Sequence, residues 1–380
     1  ASRRILFVGH RFPPDGSGGY ELHCAAVRDH LRARGHHVRV LAGAREIPSG
    51  ASRDGVARTL RWCPPGRRLT RSQARDFEAH NRAALDAQLD DFRPDVVCWW
   101  RLGETSLSLI GRVHERGLPA LGYVGDGWLH EGVERDPWTP YREQPLPLAS
   151  AATWVFNSRW LRDSTRAAGV ALETTRVLAP GVDHRLFRPG PTRDWRGRLL
   201  YAGRLTPAKG VDVAVRALVA LPGARLLLAG DGSLEHLAEI ASLAASLGVA
   251  ERVTRRRAVS GVELAALYRD ADAVLFPVRW QEPFGLVPLE AMASGTPVVA
   301  TATGGSAEYL VPEANALVVA PDDPAGLACA VTRLAGDPSL RARLRRHGLE
   351  TSAGHDRHAA SAELERLLVE LAAAGAAPRS

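Results

Sequence analysis

The sequence predicts an α/β protein: two doubly wound domains, each a parallel sheet covered by helices, facing each other across a cleft. Three observations predict it. At 380 residues the chain exceeds what one hydrophobic core usually serves. Short, nearly continuous apolar runs alternate with helical periodicity, as strands buried on both faces require. The alternation also restarts after a Pro- and Arg-rich passage, "GVDHRLFRPGPTRDWRG", residues 181–197.

In the first half the strands are "RILFVG", "HVRVLAG", "DVVCWW", "ALGYVGD" and "TWVFNS". A helix over 75–92 places Leu85, Leu89 and Phe92 on one face. The second half supplies "LLYAGRL", "ARLLLAGDG", "AVLFPVR", "TPVVATAT" and "ALVVAP". The domains then run 1–190 and 191–355. A closing helix within 356–380, with Leu364, Leu367, Leu368 and Leu371 at helical spacing, could pack on either half, including back on the first.

Hydrophobic residues at 45% and charged residues at 24% suit a globular chain, and no stretch reaches the ~18 apolar residues of a membrane span. The opening "ASRRILFVGHRFPP" reads as a first strand, its apolar run being too short for a signal peptide. Cys24, Cys63, Cys98 and Cys329 lack CxxC spacing, so neither a disulfide framework nor a zinc site is expected. A cytoplasmic location follows. The formal charge of +7 is spread along the chain, which favours a solvated surface over a nucleic-acid face. Basic residues in "PPGRRLTRSQARDF", residues 64–77, offer a peripheral contact with an anionic membrane on its cytoplasmic side.

The dinucleotide pattern GxGxxG is missing. "DGSGGYELH" has Gly16, Gly18 and Gly19 but Glu21 where a further glycine is needed, so a nicotinamide enzyme is disfavoured. Among the basic residues one alone, Lys209, is lysine. It follows the strand "LLYAGRL" in a glycine-rich turn that also carries Arg204. Farther on, "QEPFGLVPLEA" sets Glu282 in a turn and Glu290 on the second turn of a helix starting near Leu286. The free amides of Phe284, Gly285 and Leu286 would then form an anion site at the helix start. Two carboxylates beside it suit hydroxyls, and Arg204 with Lys209 suits a diphosphate. "DAD" at 270–272 precedes its strand and reads as a turn, not a metal site. The thirteen histidines show no HExxH, and His36 and His37 are expected to face solvent at a strand start.

"GRLTPAKG" followed by "EPFGLVPLEAMASGTPVVATATGGSAEYL" resembles the C-terminal domain of the retaining family-4 glycosyltransferases of GT-B fold. "GHRFPPDGSGGYELH…LRARGHHVRVL" resembles their N-terminal domain, and "APGVDHRLFRP" their interdomain connection. The resemblance implies two Rossmann-like domains and transfer of a sugar from a nucleotide diphosphate donor to a hydroxyl, with retained configuration and no required metal or cofactor. It further implies that Arg204 and Lys209 bind the diphosphate, Glu282 the sugar hydroxyls and Glu290 the ribose. The amides at 284–286 would meet the distal phosphate, and Gly18 and Gly19 would admit the donor phosphates closely. Such an enzyme would serve carbohydrate or natural-product biosynthesis.

Three departures bear on the acceptor and the base. Gly125-Asp126 stands where the family often has His-Asp, Arg257 where glycine is common, and "CWWRLGE" lacks histidines often seen there. Asp126 either accepts the hydrogen bond that the family's histidine organises beside the reacting sugar, or serves an altered acceptor, or caps the turn after its strand. Trp99 and Trp100 either line the acceptor or are core. Arg101, Glu104, Trp128 and His130 are acceptor-side candidates, the latter two in a Trp-rich stretch, 125–143, read as a loop. A sugar-nucleotide-binding protein without transferase activity and an epimerase of similar architecture are the rival readings.

Overall fold

The computed structural model describes residues 2–15, 18–43, 55–64, 67–135, 138–142, 145–257 and 259–376. Gly16, Pro65, Gly66 and part of the 125–143 stretch, named above, lie outside them.

The chain divides into two units, one of Ala1–Ala179 with His358–Ser380, the other of Pro180–Arg357. In the first, β1 (Arg4–Gly9), β2 (His37–Gly43), β3 (Val56–Leu60), β4 (Val96–Trp100), β5 (Ala120–Val124), β6 (Thr153–Phe156) and β7 (Thr175–Val177) form one sheet. Its order is β3-β2-β1-β4-β5-β6-β7, every pair parallel. The second unit has β8 (Arg198–Ala202), β9 (Arg225–Ala229), β10 (Val253–Arg256), β11 (Ala273–Phe276), β12 (Val298–Ala300) and β13 (Leu317–Val318). These run β10-β9-β8-β11-β12-β13, again all parallel. Both are doubly wound, reversing at β1/β4 and at β8/β11, where ligands of such sheets bind.

Alternation along β1 shows why its run is apolar throughout. Leu6 and Val8 join one buried cluster with Leu85, Leu89 and Phe92 of the helix Arg71–Phe92. Ile5 and Phe7 join another, on the opposite face. That second cluster includes Leu364, Leu367, Leu368 and Ala372 of the closing helix, Arg357–Ala376. The chain thus returns to the first sheet at its end. Val182 bridges Asp356 within the second unit, which draws the connecting segment from residue 180 onward into that unit.

The sequence reading missed β3, β7 and β10. All three are edge strands without a continuous apolar run: β7 and β10 are partly or fully exposed, and in β3 Arg58 and Thr59 interrupt the buried Val56, Ala57 and Leu60. The helix begins at Arg71 rather than 75, because Thr70 caps it in a reciprocal capping box with Gln73. The stretch after β5 is no plain loop. It holds the helix Trp128–Arg135, with Trp128, Leu129 and Gly132 turned inward, and a short 3-10 turn, Thr139–Tyr141. His36 does not face solvent. It is buried, its Nδ1 accepts from the Arg3 amide at 3.1 Å, and its Nε2 lies 3.2 Å from Glu365 of the closing helix. His30 Nε2 reaches the same carboxylate at 2.8 Å. Among the described residues no helix is long and apolar enough to cross a membrane.

Candidate functional site

In the second unit the turn after β8 is fastened at several points. The Tyr201 hydroxyl donates to the carbonyls of Arg204 at 3.0 Å and Lys209 at 3.3 Å. Arg279 grips Asp212 through two bonds of 2.6 Å and donates to Pro207 O at 2.9 Å. Burial opposes ionisation of Asp212, but the Arg279 guanidinium outweighs it and holds the carboxyl below its ordinary value. Gly210 has φ +66°, and a Cβ there would lie 1.9 Å from Pro277 O, so only glycine lets the turn rest on the end of β11.

This turn delivers Lys209 to Glu282. Its ammonium pairs with Glu282 Oε2 and stands 4.8 Å over the Trp280 ring, whose Nε1 donates to the same oxygen at 2.8 Å. Glu282 is itself seated by backbone. Gly305 N donates to its carbonyl at 2.7 Å, and Gly304, at φ +58°, leaves no room for a side chain against that carbonyl. Gly285, at φ +85°, precedes the helix Leu286–Ala293, and the Tyr309 hydroxyl donates to its carbonyl. The Phe284 ring is buried against Tyr309 and His355. Among the described residues, the amides of Phe284, Gly285 and Leu286 donate to no backbone carbonyl. Arg204 is exposed, and its guanidinium has no ion-pair partner among the described residues.

Glu290 lies one helical turn beyond Leu286, accepting from the Tyr268 hydroxyl at 2.9 Å. Burial pushes its carboxyl up to about 7, although Tyr268 and Arg357 favour the charged form. The second unit therefore brings Lys209, Glu282 and Gly285 together, ties Arg204 to Lys209 through Tyr201, and sets Glu290 on the adjoining helix. The "DAD" segment is a turn between the helix Gly261–Asp270 and β11. There Asp270 pairs with Arg193 and Arg198, and Asp272 accepts backbone amides of Arg196 and Arg198. Arg257 pairs with Asp231 at 3.4 Å.

In the first unit, Arg101 directly follows β4 at φ +34° and faces three carboxylates. They are Asp126 at 3.5 Å, Glu104 at 3.6 Å and Glu21 at 3.9 Å. Burial opposes its charge, yet Asp126, Glu104 and Glu21 together raise its pKa. Asp126 Oδ1 also accepts from Trp128 N at 3.1 Å, starting the helix that follows. Gly18 caps the helix Gly19–Ala33, and a Cβ at Gly18 would meet the Glu21 carboxylate at 2.5 Å. Glycine at 18 thus makes room for a carboxylate.

Trp99, Trp100 and Trp128 are core residues, and none of them lines an accessible face. His130 turns toward Thr165 at 3.2 Å. Gly125 is explained by Tyr20, whose ring carbons stand 2.0 and 2.1 Å from where a Cβ at 125 would be. The Tyr20 hydroxyl donates to Tyr123 O and accepts the Arg101 amide at 3.1 Å.

Sequence reasoning overlooked Arg279, Trp280, Gly304 and Gly305 in the second unit, and His10, Tyr20 and Glu21 in the first. Trp280 was within reach, two residues before Glu282. Glu21 was read only as the residue spoiling a glycine pattern.

Residues 185–351 match the family model described as glycosyl transferases group 1, and residues 17–186 that described as glycosyltransferase family 4. A D-inositol 3-phosphate glycosyltransferase of Acidothermus cellulolyticus is 35% identical over 276 residues, 65% of this chain and 60% of that protein. One of Mycobacterium marinum is 43% identical over 141 residues, 34% of this chain and 30% of that protein. The chain thus spans less than two thirds of the length of these relatives. Among solved structures, sucrose-phosphate synthase from Thermosynechococcus elongatus superposes with a TM-score of 0.81 at 23% identity, covering 98% of this chain and all of that one. Anabaena HepE in complex with UDP-glucose gives 0.77 at 20%, covering 97% and 100%. At those identities the likeness speaks to the fold, two Rossmann-like domains of the GT-B class.

Proposed function

Because this chain belongs to the group 1, family 4 glycosyltransferases, we propose that it transfers a sugar from a nucleotide diphosphate donor to a hydroxyl acceptor, with retention and without a metal. One observation carries the reading: Lys209, Glu282 and the amides at 284–286 converge at one helix start beside Arg204, and among the described residues those amides meet no backbone carbonyl and Arg204 has no ion-pair partner. Anions are held at such a helix end, and paired cations meet a diphosphate.

In this reading Lys209 exchanges Glu282 for a phosphate oxygen when donor binds, and Glu282, still held by Trp280, turns its freed lone pairs to sugar hydroxyls. Arg204 and Lys209 then stabilise negative charge that grows on the departing diphosphate, where binding accelerates reaction. Glu290 accepts from the ribose. The acceptor attacks the face the diphosphate leaves, and a departing phosphate oxygen takes the acceptor's proton. The diphosphate charge is met by side chains and amides, so the reaction proceeds without a divalent ion. The bound UDP-glucose of the HepE complex supports a nucleotide sugar as donor.

The test is a panel of UDP-, GDP- and dTDP-sugars with mass spectrometry of the nucleotide released, run with and without EDTA. Proton NMR of the product reads the anomer. Inversion refutes retention, and loss of activity in EDTA that a divalent ion restores refutes metal independence. Binding of a nucleotide with no turnover on any acceptor would favour a sugar-nucleotide-binding protein.

A further inference from the structure

The acidic crevice of the first unit points to the chemistry of the acceptor. It lies at the β1/β4 reversal, where loops from several strands meet: His10 after β1, Arg101 and Glu104 after β4, Asp126 after β5, and Glu21 on the helix after β1. Counting close donors defines what this crevice lacks. A carboxylate accepts hydrogen bonds at about 2.7–3.2 Å. The three carboxylates carry six oxygens, and among the described residues two have a donor that near. They are Asp126 Oδ1, from the Trp128 amide at 3.1 Å, and Glu104 Oε2, with His10 Nε2 at 2.9 Å. Arg101 sets one positive charge against the three, from 3.5 to 3.9 Å, outside good hydrogen-bond length. Glu21, Glu104 and Asp126 therefore retain lone pairs, and their side chains are 10%, 18% and 24% exposed.

Two buried polar groups add a separate observation. His10 is 2% exposed and sets its Nε2 2.9 Å from Glu104 Oε2, yet among the described residues neither ring nitrogen makes a well-directed hydrogen bond. Asn157 is 5% exposed; its amide donates to Gly125 O, next to Asp126, and its Oδ1 has no partner among the described residues. Buried polar atoms without partners are uncommon, and these belong to side chains that reach Glu104 and the residue before Asp126. Arg11, exposed and stacked 5.2 Å over Trp62, is the further cation near Glu104.

A phosphate-bearing acceptor suits this crevice poorly. Arg101 is already shared by three carboxylates, and like charges brought together at short range repel. Hydroxyls and a protonated amine supply the missing donors, and an ammonium has three. Resting on the transferase reading above, we propose that the first unit holds an acceptor that is a polyol bearing a protonated amine, and discriminates against its phosphorylated counterpart. The relatives named for D-inositol 3-phosphate would then differ from this chain in acceptor class.

A matched hexose series tests this: glucosamine, N-acetylglucosamine and glucose 6-phosphate share a scaffold and differ in charge. Their binding to the whole chain is measured by calorimetry at pH 7, alone and with whichever nucleoside diphosphate binds. Glucosamine is expected to bind at least ~10-fold more tightly than either of the others. The isosteric variant Glu104→Gln with Asp126→Asn is expected to shrink that ratio at least about five-fold, and circular dichroism reports whether it folds. Glucose 6-phosphate binding as well as glucosamine, or no preference among the three, including no binding of any, overturns the proposal. So does an undiminished preference in the folded double variant. The nucleotide titration keeps the two readings apart. If UDP, GDP and dTDP all fail to bind, the transferase reading falls; if one binds and no amine preference exists, only the acceptor inference falls.

Discussion

The two units put their charged residues at equivalent places, the carboxyl ends of parallel strands, but pair them differently. In the second, Lys209 meets Glu282 one to one, with Trp280 holding the same oxygen and Gly304, Gly305 and Gly210 fixing the backbone beneath. In the first, Arg101 serves three carboxylates from three segments at longer range. A one-to-one pair can release its cation to a ligand and keep its carboxylate in place. A shared cation cannot leave without setting three anions against one another. The one-to-one pair of the second unit suits an exchangeable anion site, and the shared cation of the first suits a fixed subsite for hydrogen-bond donors.

The sharpest way to break this contrast is to remove each cation. Lys209→Ala, and Arg204→Ala beside it, are expected to lower kcat by ~10²–10³, as loss of a transition-state donor does. The melting temperature should change little, because Trp280 still holds Glu282. Arg101→Ala is expected to act the other way round, costing roughly 2 kcal/mol of stability while nucleotide binding to the second unit is retained. Thermal unfolding and nucleotide calorimetry on the three variants decide. Equal destabilisation by Lys209→Ala and Arg101→Ala would mean the two clusters do the same structural work.

Glu290 sharpens the comparison from another side, since its carboxyl is desolvated in the fold while those around Arg101 face a cation. Its pKa rises from an ordinary 4.5 to about 7. Below 4.5 folded and unfolded chains both carry the proton. Between 4.5 and 7 the unfolded chain gives it up while the folded one keeps it, so stability falls as pH rises through this window and then levels off. Melting temperatures from pH 4 to 8 should show this loss in the wild type and not in Glu290→Gln. If the ionised carboxylate receives the ribose, nucleotide affinity should climb over the same interval. A flat profile in the wild type would show that Glu290 is not desolvated.

How much of this could be read beforehand differs between the units for a physical reason. The residues proposed to hold the donor in the second unit occupy two short stretches, 201–212 and 280–290, because one strand-turn-helix passage delivers each of them. Contiguity makes a motif visible. Arg101, Glu104, Asp126, Glu21 and His10 come from three strand ends and a helix, and only the sheet order β2-β1-β4-β5 makes them neighbours. Edge strands were invisible too, since Arg58 and Thr59 break the buried "VARTL" and the exposed "VTRR" holds a single apolar residue, so neither carries a continuous apolar run. Trp128 misled for the opposite reason: its indole, taken as a ligand contact, fills the core beside Trp154, 6.1 Å away.

Tyr20 offers the finest probe of the first cluster, because it touches Arg101 through backbone alone. Its hydroxyl accepts the Arg101 amide and donates to Tyr123 O, joining the ends of β4 and β5, while its ring fills the space a side chain at 125 would need. Gly125→Ala should therefore cost roughly 1–3 kcal/mol by overpacking. Tyr20→Ala should make the same change at 125 nearly free, and the double-mutant cycle measures that coupling. Tyr20→Phe keeps the ring and loses only the bridge, for about 1 kcal/mol. If the bridge holds Arg101 among its carboxylates, Tyr20→Phe will weaken glucosamine binding while nucleotide binding stays the same. An equal change in both would make the bridge a part of general stability and not of the acceptor subsite.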